Sequence, residues 1–376
     1  SGKYDDLDNV YSNDYKFNQL TNQLGAVFNY RGGATTIITF GTRASAVNFK
    51  QIDEYTGNVY KRNFINWLPQ SRVQYKISPS QTLSFNYNGN SIQPTIDQIQ
   101  PIKINTDPLN IQTGNPNLGP SFSHSFSLGY GKSEMLKNSS FSLSANYSLT
   151  TNAIINNTFT NLTTYVSTIN YINLSGKNPY SYSLRMYDSQ RIKFLGGIHS
   201  TVSLSTSGNI SYNEINGQLN RNSNHSYSFS LSLQKEKAKK YSIYASVGPN
   251  YTFSKYSLTP TNNNNADGFY SDGDATIYLP GKIQLTSDIN YNYTAKTQNL
   301  PATNLTMWDG ALSRTFFKGD NLKVSLSGNN LLNQDRNYRS QYNGSITQST
   351  YNTIKRYFML SVSWDFTKFG TTTAQQ

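Results

Sequence analysis

Between Gln81 and Leu149, apolar and polar side chains alternate with a period of two, the mark of strands that turn one face to grease and the other to water. Phe141, Leu143, Ala145, Tyr147 and Leu149 interleave with Ser140, Ser142, Ser144, Asn146 and Ser148. Phe122, Phe126, Leu128 and Tyr130 are set against Ser121, Ser123, Ser125, Ser127 and Gly129. The same grammar recurs in Val73, Tyr75 and Ile77, in Leu83, Phe85 and Tyr87, and in Tyr227, Phe229, Leu231 and Leu233. It returns in Ile283, Leu285, Ile289, Tyr291 and Tyr293 and closes with Phe358, Leu360, Val362, Trp364 and Phe366. Counted this way the chain holds about fifteen strands, with an irregular stretch over 162–187.

The connections between these strands fall into two classes that alternate. Short ones are expected at 31–33, 78–80, 132–138, 188–197, 235–240, 280–281 and 318–320. Long ones are expected at 51–62, 91–120, 157–163, 214–224, 258–268, 298–304 and 333–352. A sandwich of two sheets gives no reason for loop length to follow parity, whereas an outer-membrane barrel has brief turns at one rim and long loops at the other. The loop after Asn90, roughly 28 residues, exceeds what compact soluble domains use.

Composition sharpens this reading. Charged residues make up 14% of the 376, and 29 Tyr and 19 Phe bring aromatics to the same share. Soluble domains carry about a quarter charged residues. A mean hydropathy of −0.59 therefore reflects Ser, Thr and Asn rather than ions, and a surface rich in rings and poor in charge suits a bilayer. No run of about 18 apolar residues occurs, which excludes a spanning helix and leaves a spanning barrel open. In hydrocarbon every backbone group must be paired, so such a sheet is expected to close. Zero cysteines exclude a disulfide framework.

The fold class expected is thus all-β, a transmembrane antiparallel barrel spanning 15–370, with 1–14 a surface segment and 371–376 a tail. No secretory pattern is legible in the first ten residues, so the chain is expected to begin partway through a longer polypeptide. Because the net charge of +12 is mostly scattered, with Lys235, Lys237, Lys239 and Lys240 as its one dense group, nucleic acid is not expected as a partner. Charge in such turns has a bland role, keeping edges from pairing, and a functional one, contact with lipid head groups and lipopolysaccharide.

Candidate chemistry is sparse. His124, His199 and His225 stand far apart, without the spacing of a zinc site, and His124 shares a face with Phe122 and Phe126, which places it near a rim. No G-x-S-x-G elbow occurs, and the serines read as small wall residues facing water. Asp267, Asp272 and Asp274, with Gly268 and Gly273, and the group Asp5, Asp6, Asp8 and Asp14 are oxygen-rich loops without the spacing of an EF-hand, so solvated loops are the simpler reading. No cofactor, metal or catalytic residue is therefore assigned. Trp67, Trp308 and Trp364 read as interfacial girdle residues.

The segment PTIDQIQP (Pro94 to Pro101), followed by TDPLNIQTGNPNLGP (Thr106 to Pro120), resembles the barrel region of TonB-dependent receptors, especially the outer-membrane β-barrel proteins common in Bacteroidetes. GDNLKVSLSGNNLLNQDRNY (Gly319 to Tyr338) is similar to that family's penultimate strand, and RYFMLSVSWDF (Arg356 to Phe366) to its closing strand. The resemblance implies a barrel of about 22 strands, with further strands and a plug upstream, and TonB as a partner through that plug. It also implies that Phe358, Trp364 and Phe366 carry the assembly signal, though GTTTAQQ after Phe369 departs from the family's terminal aromatic. Ligand capture is expected in the loop 91–120, with Asp107, Gly114, Asn115, Pro116 and Asn117 as candidates.

The function expected is uptake of a ligand across the outer membrane. A non-transporting barrel in a larger envelope complex, with a surface lipoprotein or other subunits, is one alternative. A soluble β-rich sugar-binding or adhesive protein is the other.

Overall fold

A computed structural model describes residues 14–55, 57–100, 103–298, 300–334, 338–342, 345–349 and 355–365. The segment 1–13, Phe366 and the tail 371–376 lie outside the described residues.

The chain lays down β1 (Tyr15–Gly32), β2 (Thr36–Asp53), β3 (Val59–Ser78) and β4 (Gln81–Ile92), then one turn of helix, α1 (Ile96–Ile99). Next come β5 (Lys103–Asp107), β6 (Asn110–Thr113), β7 (Ser121–Glu134), β8 (Ser139–Thr151), β9 (Ile154–Thr160) and β10 (Ser167–Asn173). They are followed by β11 (Tyr180–Ile192), β12 (Ile198–Ile215), β13 (Gln218–Lys237), β14 (Tyr241–Tyr256), β15 (Asn264–Leu279) and β16 (Ile283–Thr294). The last are β17 (Thr303–Phe316), β18 (Leu322–Asn329), β19 (Tyr338–Tyr342), β20 (Ser345–Ser349) and β21 (Tyr357–Trp364).

Antiparallel pairing runs β1-β2-β3-β4-β7-β8-β11-β12-β13-β14-β15-β16-β17-β18-β21, a wall of fifteen strands that matches the expected number. β5, β6, β9 and β10 are extra strands within the long loops, and among the described residues β19 pairs only with β20. Among the described residues β1 pairs only with β2, and β21 only with β18, so the wall is open there. Fifteen alternately reversed strands leave those two edges running the same way.

The register shows why the alternation produces a wall with two solvents. Tyr75, Leu83, Tyr130, Leu143, Met186, Leu204 and Phe229 stand opposite one another in sequence across seven strands, from β3 to β13. One residue along, the row reads Gln74, Ser84, Gly129, Ser144, Arg185, Ser205 and Ser228. Because side chains alternate faces, the first row belongs to the outer surface and the second to the lumen. Leu24, Ile65, Trp67, Leu204, Leu312 and Leu360 are all exposed on that outer surface, an apolar face on which none of the described residues packs.

Short connections at one rim span 33–35, 79–80, 135–138, 193–197, 238–240, 280–282 and 317–321. At the other rim the chain reverses at 54–58, 93–120, 152–179, 216–217, 257–263, 295–302 and 330–356. The parity holds, but several expected loops shrink. The loop expected at 214–224 is a two-residue turn, Asn216-Gly217, with φ of 48° and 76°. The loop expected at 51–62 reduces to 54–58, and Asp267, Gly268, Asp272, Gly273 and Asp274 lie within β15 rather than in a loop. The cause is common to the two loops, whereas Asp272 and Asp274 alternate onto the lumen face within the spanning part of β15. A strand needs only about ten residues to cross a bilayer, whereas β3 and β13 have 20 each and continue beyond it through stretches that drop the strict alternation of apolar and polar residues. The irregular stretch 162–187 resolves into β10 and the start of β11.

Candidate ligand-facing loop assembly

The two longest reversals at the long-loop rim, 93–120 and 152–179, fold onto each other. Loop 93–120 begins with Pro94 and Thr95, whose hydroxyl accepts the Gln98 N–H at 3.4 Å while the Gln98 side chain accepts the Thr95 N–H at 2.9 Å, a reciprocal cap on α1. The β5/β6 hairpin follows. Asp107 organises its turn by accepting the Leu109 N–H at 3.0 Å and the Asn110 amide at 2.7 Å. These bonds, that from Asn110 the stronger, hold its carboxyl below the usual range.

Gly114 then passes close over the end of α1. A Cβ there would stand 2.3 Å from the Gln100 carbonyl oxygen and 2.6 Å from its nitrogen, so only glycine fits without moving backbone. Asn115 donates its N–H to the Gln98 carbonyl at 2.7 Å and its side-chain amide to the Tyr171 carbonyl at 2.8 Å, and its Oδ1 accepts the Asn117 N–H at 2.9 Å. Pro116 and exposed Asn117 form the crest of this turn, and Leu118 behind them is buried. Of the expected loop residues, Gly114, Asn115, Pro116 and Asn117 are therefore adjacent in one turn, while Asp107 orders a separate hairpin.

Residues that the sequence reading did not single out clasp the two loops. Asn173 Oδ1 accepts the Gly119 N–H at 2.8 Å, and its Nδ2 donates to the carbonyls of Gly119 and Asn152, each at 3.0 Å. Asn152 donates to the Pro120 carbonyl at 2.9 Å, and Gln112 to the Tyr171 hydroxyl at 2.9 Å. β6 pairs in parallel with β10, β10 with β9, and β9 in parallel with the end of β12. The layer is thus continuous with the wall. Ala153, Ile155 and Leu174 form a small core beneath it, with Ile172 and Tyr212 packed alongside.

A cleft of about 600 Å³ separates Pro116–Gly119 from the first residues of β3, Val59 to Phe64. Arg62 lines it with Nη2 buried and without a hydrogen-bond partner, and Gln51, on the neighbouring strand, is buried with neither amide atom bonded. Unpaired buried polar groups carry a desolvation cost, and since Asn66, Asn157 and Thr206 also have such atoms, Arg62 is set apart by its place on the cleft beside Pro116–Gly119. Nothing in the pattern of β3 set Arg62 apart from other lumen-facing residues.

The remaining candidates lie elsewhere. Trp67 is exposed in the outward face of β3, Trp308 stands mid-strand in β17 and donates its Nε1–H to Ser287 Oγ at 3.0 Å, and Trp364 ends β21 against the Phe317 ring of the short-turn rim, centroids 5.9 Å apart. Phe358 is exposed on the outer face of β21. His124 sits at the long-loop end of β7, where its Nδ1 lies 3.0 Å from the Tyr87 hydroxyl. His225 lies 2.8 Å from the Tyr182 hydroxyl and 2.9 Å from Ser223 Oγ, the two rings meeting over Gly208, where a Cβ would clash with both. His199 bonds the buried Ser189 hydroxyl at 2.7 Å. Among the described residues no three His, Asp or Glu side chains come together in a metal-binding group.

A single meandering sheet with an exposed apolar outer face, a serine-rich inner face and rims of unequal complexity defines a β-barrel protein of the outer membrane. The model of the outer membrane protein β-barrel family matches residues 1–222 and, again, 198–364, and the chain belongs to that family. No curated protein matches the chain. Outer-membrane localisation follows from the family, and it displaces the soluble alternative.

Proposed function

We propose that this barrel is the wall of a TonB-dependent receptor-like transporter that takes up a ligand captured at the long-loop rim. The observation that carries the reading is the built loop layer: two long loops clasped by Asn115 and Asn173, above a wall whose inner face is serine and asparagine. A barrel serving only as scaffold needs no such ordered cover over a polar lumen. The cleft at Arg62 and Pro116–Gly119 is the place where a polar ligand would first be held. Coupling to TonB is proposed from the resemblance of the 94–120 and 319–366 segments. The test compares accumulation of iron chelates, glycans and peptides by cells with and without the full-length protein, each with TonB intact or deleted. Uptake of one class that needs both proteins supports the receptor. Ordinary uptake of every class in cells lacking the protein, together with loss of a co-purifying envelope complex, favours the scaffold.

A further inference from the structure

We infer that the outer surface of the wall carries a binding site for a phosphate-bearing lipid headgroup, built on Lys50 and Lys61 at the long-loop end of β2 and β3. The two lysines are direct partners in the register of these antiparallel strands, and both are exposed. They share the outward face with Ile65 and Trp67, since all occupy positions of the same parity, and Ile65 and Trp67 are 74% and 63% exposed. Like charges directly across a ladder disfavour the pairing. Among the described residues neither lysine is in an ion pair, and the nearby Glu54 carboxylate is held by Lys16 at 2.9 Å. Asn18 stands opposite Lys50, and Asn48 opposite Asn63, which adds neutral amide donors beside the two ammonium groups. A cleft of about 320 Å³ bordered by Asn18, Leu20, Asn48, Lys50, Lys61 and Asn63 lies at this place.

Height along the wall identifies the occupant. From Ser78 at the short-turn rim to Lys61 is about 17 residues, or roughly 56 Å of strand, which a tilt of about 40° reduces to roughly 43 Å across the membrane. A bilayer including its headgroups measures about 40–45 Å. The pair therefore meets the headgroup level of the far leaflet, directly above the apolar surface of Ile65 and Trp67 that would hold the acyl chains. A doubly cationic, amide-flanked site at that level fits a phosphomonoester on a lipid, as lipid A carries. The inference goes beyond uptake and holds whether or not the barrel transports.

The experiment measures binding of lipid A, with and without its phosphates, to the full-length protein in neutral detergent. The Lys50→Gln/Lys61→Gln variant is expected to lose roughly 10- to 30-fold in affinity for phosphorylated lipid A. Lys50→Arg/Lys61→Arg is expected to stay within about twofold of the parent, as is Lys235→Gln/Lys237→Gln at the opposite rim. Heat-modifiable migration checks folding, and should the double glutamine variant fail to fold, Lys61→Gln alone carries the comparison. Equal affinity for dephosphorylated lipid A, or no loss in the glutamine variants, overturns the site. Displacement of the lipid by inorganic phosphate alone at equal concentration assigns the pocket to a free anion and overturns the lipid reading.

Discussion

Gly114 and Asp107 show how much of the loop layer hangs on single residues. Any side chain at 114 meets the backbone of Gln100, which nothing flexible can relieve. Gly114→Val is therefore expected to detach α1 from the Asn115 turn, and limited proteolysis should cut within 93–120 at least several times faster while the barrel keeps its heat-modifiable migration. Asp107 adds a pH dependence of known sign. Its folded pKa is depressed by the Asn110 and Leu109 bonds, so its contribution to the turn is complete above the ordinary carboxylate pKa and is lost as pH falls through the depressed value. Proteolytic protection of the β5/β6 hairpin should weaken on acidification in the parent, and Asp107→Asn should abolish that dependence. At the same scale, Asp274, Asp288 and Asp309 stand in one lumen-facing row on β15, β16 and β17. Asp288→Asn removes the central like charge and is expected to raise the thermal midpoint of the barrel at neutral pH. A fall in that midpoint would mean that the bond from the Asn290 amide to Asp288 outweighs the repulsion.

At the scale of elements, the turn between β12 and β13 separates what the sequence displayed from what it hid. Ile215-Asn216-Gly217-Gln218 has the dipeptide that favours a two-residue hairpin, because both central residues need positive φ. The alternation of Tyr227 to Leu233 against Ser226 to Ser232 is plain, yet from Asn220 to Asn224 polar residues occupy both faces, and the pattern there reads as the end of a loop over 214–224. Where a strand leaves the bilayer, the greasy half of the period-two code is no longer required, and only turn chemistry remains legible. Gly217→Ala, forcing a Cβ into the left-handed region, is expected to cost about 1 kcal/mol by denaturant titration. A cost near zero would mean that the turn is not under this constraint. The loop layer was harder still. The capping sequence Thr95 to Gln98 and the Gly114-Asn115-Pro116 turn were readable locally, but the parallel pairing of β6 with β10 and the clasp by Asn173 join residues about 50–60 positions apart, and no local propensity encodes a partner at that distance.

At the scale of the whole molecule, the two faces of the wall make opposite demands at neighbouring positions, and that contrast is open to a direct test. Leu204 and Ser205 are consecutive in β12, the first exposed on the outer surface between Met186 and Phe229, the second opposite Arg185 and Ser228 in the lumen. Leu204 stands six residues from the start of the strand at Ile198, about 15 Å above the short-turn rim once tilt is included, which is inside the hydrocarbon on the near side of its midplane. Leu204→Arg should therefore destabilise the barrel by about 1–3 kcal/mol, the cost of a guanidinium in the hydrocarbon between the interface and the midplane. Ser205→Arg places the same side chain in water beside an existing arginine, where screening limits the penalty to a fraction of that. Reversible urea unfolding from phosphatidylcholine vesicles measures both. Equal costs at the two positions would mean that this sheet does not separate lipid from water, and both the membrane reading and the headgroup site at Lys50 and Lys61 would fall with it.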